Sequence, residues 1–153
     1  MVKAIAYLTG IMGISGVVYF EQPSEHDLTY ISWEIKGNTP NALRGFHLHE
    51  FGNLTNGCLS TGTHYNPFNL THGAPNATVK HAGDMGNVVT DNEGVARGHL
   101  LDDEIKLCGE YSVIGRSVVI HSGTDDLGLG GNAESLINGN SGPRPACGVI
   151  GLV

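Results

Sequence analysis

An all-β fold of eight antiparallel strands, arranged as a sandwich or a barrel, is predicted by three features of the sequence. Short apolar runs with period-two alternation recur along the chain, as in strands that bury one face. Glycine is frequent, at 23 of 153 residues, which suits many turns between short strands. No segment has the periodicity of a convincing amphipathic helix. The length fits one domain, residues 1–153.

The clearest strand is TYISWEIKG, residues 29–37. In it, Ile31, Trp33 and Ile35 point to one face, and mostly polar side chains point to the other, as in a half-buried strand. Seven further runs with a similar pattern are predicted to be strands, near residues 2–9, 15–22, 41–49, 84–90, 95–102, 116–121 and 147–153.

The N-terminal stretch MVKAIAYLTGIMGISGVVYF has one lysine followed by many apolar residues, as a signal peptide does. Threonine and glycine residues interrupt its apolar part, and Gly10 and Gly13 suit a turn between two strands. We therefore expect two strands here and a cytoplasmic protein. The sequons at Asn53, Asn69 and Asn76 matter only in a secreted chain, so we expect them to be unused.

Two long segments, residues 50–83 and 122–146, have few strand signals and many Gly, Asn, Pro and Thr residues. Loops of this length in a compact domain are usually functional or disordered. These two contain histidines, an acidic pair, an arginine and two cysteines, so we expect both to be functional.

Charge and cysteine content exclude several classes of protein. The formal net charge of −7 disfavours nucleic acid and anionic membranes as partners. It would also repel an anionic substrate, unless the field is reversed locally. No apolar run is long and uninterrupted enough to cross a bilayer. The three cysteines, Cys58, Cys108 and Cys147, allow at most one intramolecular bridge and leave one free thiol.

The stretch GFHLHEFG contains two histidines in a predicted strand. Side chains in a strand alternate between faces, so His47 and His49 share one face while Phe46 and Leu48 share the other. Such a pair is compatible with a metal site and equally with two ordinary strand residues.

More histidines favour the metal site. They lie in the motifs GTHYNP, THGAP, KHAGDMGN and SVVIHSG, which supply His64, His72, His81 with Asp84, and His121. Imidazole suits copper and zinc, and zinc also accepts a carboxylate. Six histidines and one aspartate are too many for one tetrahedral site, but they suffice for two metals if one histidine is a shared imidazolate. His26 and His99 are expected to be ordinary surface residues.

Taken together, the motifs resemble those of the copper–zinc superoxide dismutases. They occur in order over nearly the whole chain, as GFHLHEFG, NGC, GTHYNP, HGAP, HAGDMGN, GRSVVIH, DDLG and GPRPACGVIGL. The resemblance implies a Greek-key arrangement of the eight strands, a metal-binding loop at about 50–83 and an electrostatic loop at about 122–146.

The resemblance also implies a role for each candidate site residue. Copper would be bound by His47, His49, His64 and His121. Zinc would be bound by His64, His72, His81 and Asp84, with His64 bridging the metals.

Three further implied features lie around the metals. Asp125 would hydrogen-bond one ligand of each metal and so fix their orientation. Arg144 would be the active-site arginine that holds the anion beside copper. Cys58 and Cys147 would form a disulfide, which is unusual in the cytosol.

The implied activity is the dismutation of superoxide to oxygen and hydrogen peroxide, in antioxidant defence. Copper would cycle between two redox states, and zinc would have a structural role. His64 would hold a proton for the departing peroxide when its bond to copper breaks. The alternative is a non-catalytic relative, of the copper-chaperone or metal-buffering type. Such a relative would be expected to have lost copper ligands or the arginine, and here both are intact.

The sequence departs from many members of the family in the second long loop. Those members have lysines where this chain has Leu129 and Ile137, and an acid where it has Ala133. After Arg116 the only cation is Arg144. We therefore expect weak attraction of superoxide and a shallow dependence of the rate on salt.

Partners are implied by resemblance alone. A patch of small and apolar residues matches the surface through which many members form a symmetric dimer: Gly52, Ile114, Gly115, Val149, Gly151 and Leu152. Pro143 and Pro145 flank Arg144, and loop rigidity is their simplest explanation. Alternatively, they hinder disulfide closure, so that maturation needs the copper chaperone of the family.

Overall fold

The computed structural model describes residues 1–153 and is built almost entirely of strands. The nine strands are β1 (Val2–Gly10), β2 (Ser15–Gln22), β3 (Thr29–Lys36), β4 (Leu43–His49), β5 (Thr55–Cys58), β6 (Asp84–Val89), β7 (Ala96–Asp102), β8 (Ser117–Ile120) and β9 (Ala146–Leu152).

Eight of these strands form one antiparallel sheet in the order β6-β4-β8-β9-β1-β2-β3-β7. The end strands β6 and β7 contact each other, so the sheet curls into a nearly closed barrel. Strands β3 and β4 are consecutive in the chain but are separated in the barrel by β7 and β6, which is the crossover of a Greek key. The prediction of an all-β fold with eight antiparallel strands is confirmed.

The core follows from the alternation of side chains along the strands. Ala4, Ala6 and Leu8 of β1 are fully or almost fully buried. The small alanine side chains leave room for large residues on the paired strand β2, and Ala4 lies opposite Phe20. In all, 21 buried apolar residues form one core cluster, and the partly buried Trp33 packs against it.

Three short elements outside the barrel were absent from the sequence prediction. Strand β5 has four residues and lies outside the eight-stranded sheet. A 3₁₀ turn, Leu59–Thr61, follows it directly, and the second long segment contains a single helical turn, α1, at Ser135–Asn138. Elements of three or four residues are too short to show a period in the sequence. No helix of the structure has the length and apolar character needed to cross a membrane.

Candidate metal centre

Strand β4 supplies the first two candidate ligands. His47 and His49 are completely buried, as are Phe46 and Leu48 on the opposite face. The second pair packs in the barrel core, whereas the histidine pair lies under the two long segments that connect β4 to β6 and β8 to β9. The strand is therefore buried on both sides, by the core and by the loops.

Four histidines form a first group: His47, His49, His64 and His121. One ring nitrogen of each lies within 4.8 Å of the corresponding nitrogen of all the others. Strand pairing brings two of the elements together, because β8 lies beside β4 and His121 directly follows β8. An isolated bridge between His49 and His64 attaches the long segment to the end of β4.

Each histidine of this group has one ring nitrogen without a hydrogen-bond partner, although that atom is buried. These atoms are Nδ1 of His47 and Nε2 of His49, His64 and His121. Buried polar atoms are nearly always paired in proteins, so four unpaired nitrogens that face one another fit the ligands of a cation. The donor set is four imidazoles, which suits copper.

The hydrogen bonds made by the second nitrogen of each ring determine which nitrogen remains free to bind a metal. Nδ1 of His49 donates to the carbonyl of Gly62 at 2.9 Å, and Nδ1 of His121 donates to the carbonyl of Gly142 at 2.9 Å. A carbonyl oxygen can only accept, so the proton resides on Nδ1 and Nε2 is left with a free lone pair. Both rings are thus held in the tautomer that a metal requires.

A second group surrounds Asp84. Its Oδ1 lies 2.9 Å from Nδ1 of His64, 2.9 Å from Nδ1 of His72 and 3.3 Å from Nδ1 of His81. A tetrahedron with metal–ligand distances of about 2.0 Å has edges of about 3.3 Å, so these separations fit zinc. Nδ1 of His72 has no properly angled hydrogen bond in spite of its short distance to Asp84, as expected of atoms that converge on a common point.

Grouping by mutual distance puts His47 rather than His81 beside His64, His72 and Asp84. His81 nevertheless faces this group, since its Nδ1 lies 3.3 Å from Nδ1 of His64 and 3.3 Å from Oδ1 of Asp84. One nitrogen of His47 is occupied by Asp125, and its free nitrogen already belongs to the first group. We therefore assign His81 to the second group.

His64 is the residue that the two groups share. Its Nδ1 lies beside Asp84, and its Nε2 is one of the four unpaired nitrogens of the first group. A single buried imidazole therefore offers one atom to each site.

The charges of the two groups differ. Burial lowers the pKa of His47 and of His49 well below the ordinary value, and it lowers the pKa of His121 to about 4. Burial also lowers the pKa of His72, but the hydrogen bond to Asp125 and the close approach of the Asp84 carboxylate outweigh it and raise that pKa to about 9. The first group thus consists of neutral imidazoles, the form in which histidine binds metal, whereas His72 is protonated between two carboxylates and has to release that proton before it binds a metal.

Asp84 is an anion in this environment. Burial alone would raise the pKa of its carboxyl group, but the hydrogen bond to His64 and the close approach of His72 and His81 outweigh burial and hold the pKa far below its usual range. The backbone N–H groups of Gly73 and His81 donate to its other oxygen, Oδ2, at 3.0 and 2.8 Å. The carboxylate is therefore fixed in place, with Oδ1 facing the histidines.

Asp125 connects the two groups. Its Oδ2 accepts a hydrogen bond from Nε2 of His47 at 2.8 Å, and its Oδ1 accepts one from Nε2 of His72 at 2.7 Å. The backbone N–H of Leu127 also donates to Oδ1, at 2.7 Å. One carboxylate thus orients a histidine of each group, as outer partners of metal ligands commonly do.

Arg144 lies beside the first group and is half-buried. Its Nη1 donates to the carbonyls of Cys58 and Gly62, at 3.1 and 2.7 Å, and to Oγ1 of Thr61 at 3.2 Å. Its positive charge is near enough to lower the pKa of both His49 and His121, although burial is the larger cause. The Cys58–Cys147 disulfide is present and ties this loop to β9, and Cys108 is the free cysteine.

Several other residues singled out in the sequence lie outside the two groups of candidate ligands. Leu129 and Ile137 are exposed on the second long segment, at 84% and 51% of their surface. His26 and His99 are exposed, as expected of surface residues. The six residues of the predicted dimer patch lie at the surface or partly buried, and Gly52 is packed against Gly115 and Val149.

Three residues with a role in the site were not singled out from the sequence. Gly62 and Gly142 act through their carbonyl groups, and Asn87 acts through its side chain on Asp125. Every residue has a carbonyl, so this role leaves no mark in the sequence. Gly62 does have a backbone conformation that favours glycine, with φ of 79°, and its place in GTHYNP was a usable signal.

Comparisons with known proteins agree with this geometry. The family model described as copper/zinc superoxide dismutase matches residues 14–150. The chain is 64% identical to a protein of Candida glabrata and 64% identical to one of Saccharomyces cerevisiae, both named Superoxide dismutase (Cu-Zn). It is 62% identical to Superoxide dismutase (Cu-Zn) 1 of Debaryomyces hansenii. Each comparison covers 152 residues and 99% of both chains.

Proposed function

The chain belongs to the copper/zinc superoxide dismutase family, and from this premise we propose that it converts superoxide into oxygen and hydrogen peroxide with copper and zinc as cofactors. The observation that carries the proposal is the set of unpaired buried nitrogens around His64. The Nε2 atom of His64 belongs to the first group, and its Nδ1 atom belongs to the second. Four imidazoles in one group, and three imidazoles with one carboxylate in the other, suit two different metals that share His64.

The proposed ligands follow the two groups. Copper would be held by Nδ1 of His47 and by Nε2 of His49, His64 and His121. Zinc would be held by Nδ1 of His64, His72 and His81 and by Oδ1 of Asp84. The chemistry that these metals supply is one-electron exchange at copper and charge stabilisation by zinc, which has no redox states of its own.

The residues of the chain bind the substrate and hold protons. Arg144 binds superoxide through N–H groups other than those occupied by the carbonyls of Cys58 and Gly62. Nε2 of His64 is the atom that would hold a proton for the departing peroxide. Asp125 keeps the Nε2 proton on His47 and so leaves Nδ1 of that ring available to copper.

The alternative function, a copper-chaperone-type or metal-buffering protein, is less well supported. Buffering requires ligands but has no need of a cation for an anionic substrate. Here three hydrogen bonds hold a half-buried arginine beside the copper group. The fixed position of Arg144 therefore favours the enzymatic function over metal buffering.

The remaining proposals concern domain organisation, assembly and location. We propose that residues 1–153 act as one domain, with 50–83 as the metal-binding loop and 122–146 as the electrostatic loop. The patch around Gly52 and Val149, which includes the exposed Leu152, would form a two-fold dimer with a second copy. We further propose a cytoplasmic location and loading of copper by a chaperone. The oligomeric state in solution, cell fractionation and loading assays with and without a chaperone would test these points.

A direct superoxide dismutation assay on protein loaded with one copper and one zinc tests the main proposal. Copper alone in solution gives the background rate. His49→Ala should reduce the rate to that background and lower the copper content, because it removes one of four copper ligands. The matched variant, His99→Ala, removes an exposed histidine that belongs to neither group and should keep the full rate. A loaded protein no faster than free copper would show that the proposal is wrong.

A further inference from the structure

We infer that Asn87 is a positioning residue for both metals, because its amide holds the main chain of Asp125 and thereby sets the carboxylate that orients His47 and His72. The inference rests on the proposed function only in that the two groups are taken to bind metals. Asn87 itself touches neither group and lies partly buried in β6.

The contact between the two residues is reciprocal. Nδ2 of Asn87 donates to the carbonyl of Asp125 at 2.9 Å, and Oδ1 of Asn87 accepts from the backbone N–H of Asp125 at 2.8 Å. One side chain therefore satisfies both polar groups of one residue in the loop. This pairing resembles one rung of a β-ladder, formed by a side chain in place of a neighbouring strand.

An irregularity in β6 makes this contact possible. Asp84 and Asn87 are three positions apart, so in a regular strand their side chains would point to opposite faces. The pairing with β4 shifts between Gly45, which is opposite Asn87, and His47, which is opposite Asp84, so β6 contains one extra residue. Gly86 lies in this bulge with φ of 76°. As a result, Asp84 contacts the histidines and Asn87 contacts the loop above them.

The carboxylate of Asp125 needs this support because it serves two histidines at once. Its two oxygens bond to His47 and His72 at 2.8 and 2.7 Å, so a small rotation of the residue disturbs both bonds. Its own side chain is held in addition only by the backbone N–H of Leu127. Without Asn87 the main chain of Asp125 loses both of its partners, and the orientation of a ligand of each metal is no longer fixed.

The test compares Asn87→Ala, which removes both bonds, with Asn132→Ala as a matched control. Asn132 is an exposed asparagine of the same loop, and its Oδ1 accepts from Ser135 and Asn140 without touching Asp125. Two readouts are needed: zinc affinity, from competition with a chromogenic chelator, and the visible spectrum of protein with cobalt in place of zinc. We expect the zinc dissociation constant of Asn87→Ala to rise about tenfold or more, with a changed cobalt spectrum. Asn132→Ala should leave both unchanged.

A double-mutant cycle separates positioning from a general effect on folding. In a background of Asp125→Asn, which weakens the bond to each histidine, the Asn87 substitution should have little further effect on zinc affinity. Additive effects would overturn the inference, as would an unchanged affinity in Asn87→Ala. If that variant does not fold, Asn87→Ser replaces it, and circular dichroism of the metal-free protein establishes that it is folded. Failure of the unmodified protein to bind zinc would instead overturn the proposed function.

Discussion

The disulfide offers the prediction with the best-defined magnitude. We consider the double substitution Cys58→Ser and Cys147→Ser, which removes the bridge without leaving either thiol. The two cysteines are 89 positions apart. On the chain-entropy model, closing a loop of that length lowers the entropy of the unfolded chain by an amount worth about 4.6 kcal/mol at 25 °C. The bond also holds the segment whose carbonyl at Cys58 accepts from Arg144.

The measurement is thermal unfolding of the metal-free protein, followed by circular dichroism. Metals must be absent because they bind the folded state and would add their own stabilisation. For a chain of this size, 1 kcal/mol corresponds to about 2–4 °C, so the midpoint should fall by about 9–18 °C. The matched control is Cys108→Ser, which changes a free, partly buried cysteine and should shift the midpoint little. A fall of less than about 3 °C in the double variant would refute the entropic reasoning.

Three shorter predictions concern other parts of the molecule. First, the dismutation rate should fall only slightly as the ionic strength rises, because electrostatic steering needs cations near the site; superoxide dismutases are themselves a standard example of such steering. The double variant Leu129→Lys, Ile137→Lys should show a steeper fall, and equal slopes in the two proteins would contradict this. Second, a Cβ at Gly98 would lie 2.7 Å from Cζ2 of Trp33. Gly98→Ala should therefore destabilise the fold by about 1–3 kcal/mol and shift the fluorescence emission of the single tryptophan. Unchanged fluorescence and stability would count against this contact. Third, hydrogen bonds from backbone N–H groups of the following turn lower the pKa of Asp91. Its contribution to the free energy of unfolding is therefore present above about pH 4 and lost as the pH falls further. Asp91→Ala should flatten that part of the curve of stability against pH, and a curve of unchanged shape would disprove the assignment.

The barrel could be predicted from the sequence because its strands bury one face and show it as alternation. In β3 the buried Ile31 and Ile35 fall on one face, as expected. The same alternation places His47 and His49 on the face opposite to that of Phe46 and Leu48. The short elements β5 and α1 were missed because four residues hold too little periodic information.

The candidate site was predicted unevenly. The histidines and Asp84 stand out because their side chains carry the chemistry, and resemblance to a family suggested which of them belong together. The support around them does not stand out. The contact between Asn87 and Asp125 depends on a bulge in β6. Regular alternation would place the side chain of Asn87 on the face opposite to that of Asp84.

The position of β1 in the barrel has a consequence for how the chain is made. One edge of β1 pairs with β2, which follows it at once, but its other edge pairs with β9, Ala146–Leu152. During translation the second edge has no partner until more than 140 residues have been synthesised. Unpaired strand edges are sites of association between chains, so a nascent chain that stalls before β9 presents an open edge to its neighbours on the same messenger RNA. We therefore expect a chain truncated before Ala146 to aggregate, whatever its metal content.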